Sequence, residues 1–135
     1  MTEPERRPSV LLVEDEVGLL EILHVNFRSA GYRVMTATDG VTAWREFDQM
    51  RPDLLVLDLN LPQMSGFRLL ELIRSESEVP ILILTAYDFA EAEEVAQYRP
   101  NLYLKKPFDV ETLIAEANRL IGRGPARGPA DSGTR

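Results

Sequence analysis

The 135-residue sequence contains no cysteine, which excludes disulfides and thiolate metal sites and leaves the redox compartment open. It has a single histidine, His24, with no second residue placed to pair with it as a metal ligand or base. Lysine is nearly as scarce: there are thirteen arginines but only two lysines, the adjacent Lys105 and Lys106. No apolar run approaches the roughly 20 residues of a membrane-spanning helix, and residues 1–9 (MTEPERRPS) lack the apolar core of a signal peptide. A cytoplasmic location with no membrane partner is therefore expected. A basic surplus is missing too. The net charge of −7 gives no nonspecific attraction to nucleic acid, and no element for gripping DNA is visible, so no direct DNA contact is expected from this chain. Neither the G-x-x-x-x-G-K-[ST] nor the G-x-G-x-x-G phosphate loop occurs, and there is no internal repeat.

What remains is an ordinary globular composition, 44% hydrophobic and 27% charged. The length suggests one domain, able to bury about two-thirds of its unfolded surface. Residues 1–8 read as a mobile lead-in. Residues 122–135 (GRGPARGPADSGTR), of which six are Gly or Pro, read as a disordered tail or the start of a linker, leaving 9–121 as the folded unit.

Within that unit short apolar runs alternate with helical patterns. Strands are expected at 9–13 (SVLLV), 33–36, 54–58 (LLVLD), 81–85 (ILILT) and 101–105 (NLYLK). Helices are expected at 16–30, 40–50, 66–75, 90–98 and 109–121, with Gly31 stopping the first and Asp109 capping the last. Five strand–helix pairs imply βαβ units. The expected fold is therefore α/β: a doubly wound three-layer sandwich around a five-stranded parallel sheet. The central strands are apolar without alternation, as a sheet covered on both faces requires. Such folds bind ligands outside the carboxyl ends of their strands.

Those ends carry the chemistry. The first strand runs into Glu14-Asp15-Glu16, the third ends on Asp58, the fourth on Thr85, and the fifth leads into Lys105-Lys106-Pro107. An ionised Asp58 after four apolar residues is costly unless something is provided for it. Crowded carboxylates repel one another, and a hard divalent cation with oxygen ligands removes the conflict. Mg²⁺ suits the set, with Mn²⁺ as the alternative, because it keeps open positions for a phosphate. Asp58 could then attack phosphorus and become an aspartyl-phosphate, with Lys106 and Thr85 steadying the phosphoryl oxygens. Alternation along the fifth strand separates the two lysines, and Lys106, beside Pro107, is the one expected at the site. Glu16 reads instead as a helix N-terminal acid, favourable with the dipole.

The segments VLLVEDE (10–16), DLLVLDLNLPQMSGF (53–67), ILILTAY (81–87) and YLKKPF (103–108) resemble, in this order and spacing, the receiver domain of two-component response regulators. The chain is similar to the stand-alone chemotaxis regulators of that family, over about residues 8–122. The resemblance implies a flavodoxin-like (βα)₅ fold. It also implies Mg²⁺ held by Glu14, Asp15, Asp58 and the backbone carbonyl of Asn60. Asp58 would be the phosphoacceptor, Thr85 and Lys106 would bind the phosphoryl group, and Thr85 and Tyr103 would form the switch. Lifetime would be tuned at Asn60 and Tyr87, and Pro107 would follow a cis bond. The donor would be a sensor histidine kinase or phosphotransfer protein and the output an unidentified downstream protein, with homodimerisation on activation as an option. Such a domain is a signalling protein that catalyses only its own phosphorylation and dephosphorylation. The chain departs from the family at Glu14, where Asp is commoner, and at Arg99-Pro100, where Gly-Ala is usual. Two other readings compete with this one. The first is a receiver-like interaction module that is never phosphorylated. The second is a phosphatase with an aspartate nucleophile, which would want an acid where this chain has Asn60.

Overall fold

The apolar runs become the strands of one sheet. The computed structural model describes residues 7–86 and 95–122. Strands β1 (Ser9–Val13), β2 (Arg33–Ala37), β3 (Leu54–Asp58), β4 (Ile81–Thr85) and β5 (Leu102–Lys105) pair in parallel in the order β2-β1-β3-β4-β5. β1, β3 and β4 are buried along their whole length, and this is why they are apolar apart from one polar residue at an end of each, Ser9, Asp58 and Thr85.

Alternate residues supply two cores. Leu11, Val13, Leu55, Leu57, Ile81 and Ile83 pack against Ala43 and Phe47 of helix α2 (Gly40–Met50) and Leu69, Leu70 and Ile73 of α3 (Gly66–Arg74). Val10, Leu12, Leu54, Val56, Leu82 and Leu84 pack on the other face. Their partners are Leu20, Leu23 and Phe27 of α1 (Val17–Ser29) and Leu113 and Ala117 of α4 (Val110–Leu120). The result is the flavodoxin-like three-layer sandwich.

Local chemistry sets the helix ends. The side chains of Asp39, Ser65 and Asp109 accept the backbone N–H of Thr42, Arg68 and Thr112 at 2.7, 3.2 and 3.0 Å. Each such cap stabilises by about 1 kcal/mol. Gly31, at φ 98°, follows α1 in the left-handed conformation that a glycine stop adopts. Gly66 opens α3 so close to the loop after β3 that a Cβ would lie 2.4 Å from the Cα of Leu59, whose carbonyl accepts the Gly66 N–H at 2.9 Å. A glycine there lets α3 press down beside the end of β3.

Of the helix expected at 90–98, residues 90–94 lie outside the described residues, as do 1–6 of the expected lead-in and 123–135 of the expected tail. Its described end is a 3-10 turn, Ala96–Tyr98, followed by Arg99 at φ 55°. Arg74, at the end of α3, fastens this turn. Its guanidinium donates to the carbonyls of Tyr98 (2.8 Å), Val79 (2.8 Å), Arg99 (3.0 Å) and Ser77 (3.2 Å).

The strand order reverses between β1 and β3, so a crevice opens beyond their carboxyl ends.

Candidate functional site

Val13 pairs with Leu57 across β1 and β3, so the residues that follow, Glu14 and Asp58, emerge side by side. Both are almost wholly buried, at 1% and 4% exposure, and Thr85 at the end of β4 is fully buried. Asp15 is exposed at the rim. The backbone N–H of Lys106 donates to the carbonyl of Thr85 at 2.8 Å, which carries the β4–β5 ladder one residue further and delivers the lysine to the crevice. Its Nζ then donates to Glu14 Oε2 at 3.2 Å and to Asp58 Oδ2 at 3.1 Å. The other Asp58 oxygen, Oδ1, accepts the Asn60 backbone N–H at 3.1 Å. These groups surround a cleft of about 360 Å³ lined by Glu14, Asp15, Glu16, Asp58, Asn60, Thr85, Ala86 and Lys106.

The electrostatics follow from the crowding. Burial, reinforced by the neighbouring Asp58 charge, pushes the Glu14 carboxyl up from 4.5 to about 7, against the opposing pull of Lys106. Burial presses the Lys106 ammonium down, but its hydrogen bonds to Glu14 and Asp58 more than reverse that, and its pKa ends above the ordinary value. One cation thus serves two buried carboxylates. Glu14 Oε1 lies 3.1 Å from the same nitrogen yet has no hydrogen-bond partner. Carboxylate oxygens of Glu14, Asp15 and Asp58 lie within 4.8 Å of one another, a spacing at which one metal ion could be shared. A buried oxygen without a hydrogen bond, among three acids of which two share one lysine, suits a hard divalent cation.

The cleft therefore gathers Glu14, Asp15, Asp58, Asn60, Thr85 and Lys106. Tyr103 is not among its lining residues. It pairs with Ile83, is half-buried, and packs against the core under α2 and α3. Thr85, two residues beyond Ile83, shares that face of the sheet. Lys105 is exposed, and the Lys106–Pro107 peptide bond is cis. Tyr87 lies outside the described residues.

Glu16, expected as a helix N-terminal acid, stands at the start of α1 and also borders the cleft. It is the N-cap of α1 without a side-chain cap, its backbone N–H donates to Glu14 Oε2 at 3.1 Å, and its carboxylate stands 4.0 Å from Lys106 Nζ. The run of three acids is the sequence signal for its place at the cleft, and a position at the start of a helix accounts for the same residue.

Comparison with known proteins gives a consistent picture. Residues 10–118 match the response regulator receiver domain family. The sensory transduction protein RegX3 of Mycobacterium tuberculosis is 37% identical over 118 residues, which is 86% of this chain and 52% of that protein. The chain spans about half the length of the curated relatives it matches. Among solved structures, the non-phosphorylated HemR receiver domain from Leptospira biflexa superposes with a TM-score of 0.81 at 32% identity, covering 90% of this chain and all of that one. The receiver domain of the sensor histidine kinase PA1611 from Pseudomonas aeruginosa, solved with magnesium in its active-site cleft, gives 0.78 at 34% identity, covering 86% and 98%.

Proposed function

Because the chain belongs to the response regulator receiver domains, a family of signalling proteins, we propose that Asp58 is its phosphoacceptor and that a sensor histidine kinase or phosphotransfer protein is the donor. The observation that carries this reading is the pair of hydrogen bonds from Lys106 Nζ to the buried Glu14 and Asp58.

The residues divide the work. Glu14, Asp15 and Asp58, with the backbone carbonyl of Asn60, would hold Mg²⁺, or Mn²⁺ in its place. Bound there, the ion supplies positive charge against the equatorial phosphoryl oxygens. An oxygen of Asp58 attacks phosphorus, the bond from phosphorus to the donor's imidazole nitrogen breaks, and that nitrogen keeps the electron pair and takes a proton. Lys106 exchanges its contact with Asp58 for the arriving phosphoryl oxygens, and the Thr85 hydroxyl hydrogen-bonds another. The domain thereby catalyses its own phosphorylation, and water reverses it. New contacts at Thr85 shift the population toward a state in which Tyr103 repacks, and an unidentified downstream protein, or a second copy of the chain, reads the change. Asn60 and Tyr87 would tune the lifetime. Among the described residues no helix is long and apolar enough to cross a membrane, which accords with a cytoplasmic receiver.

Acetyl phosphate and Mg²⁺, followed by intact-mass measurement, test the reading. One added phosphoryl group, absent without the metal and absent in Asp58→Asn, supports it. An unmodified parent chain would instead favour an interaction module that never turns over phosphate.

A further inference from the structure

Glu16 adds a charge that the proposed transfer does not use. Its side chain is 69% exposed, and it is the third carboxylate of the run that borders the cleft. It caps nothing through its side chain. The hydrogen bond it gives Glu14 comes from its backbone N–H, which Gln or Asp at this position retains. Its carboxylate lies 4.0 Å from Lys106 Nζ, and that nitrogen lies 3.1 Å from Asp58 Oδ2. A phosphoryl group approaching Asp58 therefore passes within several ångströms of the Glu16 charge. The cleft also opens beside a larger apolar groove, and Glu16, Ala86 and Lys106 line both. The carboxylate thus stands at the mouth of the phosphoryl cleft, with Lys106 as its nearest cation among the described residues.

Resting on the phosphoacceptor reading, we propose that Glu16 limits the rate at which small anionic donors react: its rim carboxylate repels freely diffusing phosphoryl anions and so slows phosphorylation of Asp58 by acetyl phosphate. The interaction is coulombic and acts through solvent, so salt screens it. A packing role would show no such dependence. The charge, rather than the shape of the side chain, is the active property, so Glu16→Asp retains the effect and Glu16→Gln loses it.

The experiment measures the initial rate of Asp58 phosphorylation by acetyl phosphate at saturating Mg²⁺, for the parent, Glu16→Gln and Glu16→Asp, across a salt series. At low ionic strength Glu16→Gln is expected to react about three- to tenfold faster than the parent, the scale of one unit charge across a wet cleft. That ratio should fall toward unity near about 1 M salt, where the screening length is about 3 Å. Glu16→Asp should follow the parent's salt response. Equal rates for parent and Glu16→Gln at low salt, or a ratio that salt leaves unchanged, would overturn the inference while leaving Asp58 as acceptor. A parent chain that is not modified at any salt concentration overturns both.

Discussion

At the start of β3, Asp53 accepts the backbone N–H of Ser9 at 2.8 Å and its hydroxyl at 3.2 Å, and Arg74 nearby is bound by four backbone carbonyls. At the other end of the same strand, Asp58 meets Lys106, which it shares with a buried Glu14. At the amino edge the charges of Asp53 and Arg74 are held by neutral dipoles, while the ion pairs there, Arg51–Glu76 and Arg99–Glu78, lie on the exposed surface; the carboxyl edge sets buried charge against charge. The first arrangement needs nothing further and holds the chain together. The second leaves one carboxylate oxygen without a hydrogen bond and one carboxyl pushed toward neutrality, a state that a further cation would relieve. Local instability of this kind is tolerated where binding uses it. The two edges should therefore fail differently when disturbed.

The largest effect is expected at the carboxyl edge. Lys106→Met removes the only cation found beside Asp58 among the described residues, and the rate of phosphorylation from acetyl phosphate should drop by about 10²-fold or more. Intact-mass time courses measure this, and a drop of less than about threefold would erase the contrast between the edges. Arg74→Met should do the reverse. Stranding carbonyls of Ser77, Val79, Tyr98 and Arg99 costs about 1–3 kcal/mol in urea denaturation, while the folded protein still accepts phosphate at near the parental rate. The third effect is one of pH, and it develops gradually rather than at a single substitution. Glu14 holds a proton in the folded chain between 4.5 and about 7 that the unfolded chain has released, so metal-free stability declines as pH rises through that window. Glu14→Gln should flatten the decline, and Mg²⁺, which binds the deprotonated form, should offset it in the parent. Denaturation midpoints across pH, with and without the metal, check both.

Most of the frame could be read from residue types because local rules govern it. The strands at 9–13, 54–58 and 81–85 are fully buried and apolar but for Ser9, Asp58 and Thr85, and the helix starts at Gly40, Gly66 and Val110 follow Asp39, Ser65 and Asp109, whose side chains each accept a free first-turn N–H group. Asp58 and Lys106 were identifiable because parallel strands bring their carboxyl ends to one edge, and only polar residues necessary there interrupt the apolar pattern. What escaped was tertiary. An arginine in the last turn of a helix suits the dipole and gives no hint that Arg74 reaches across to Tyr98 and Arg99. Glu16 likewise fitted a helix start, and its distance to Lys106 depends on a residue far along the chain. Arg99, left-handed at φ 55° where glycine is the easier choice, ends the 3-10 turn in a way that the pattern over 90–98 did not announce.

The most direct test is to find which atom receives the phosphoryl group. After reaction with acetyl phosphate and Mg²⁺, borohydride reduces an acyl phosphate to an alcohol, and peptide mass spectrometry places the change. The account predicts a homoserine at position 58 and nowhere else. A reduced residue at Glu14 or Asp15, with Asp58 untouched, would contradict it.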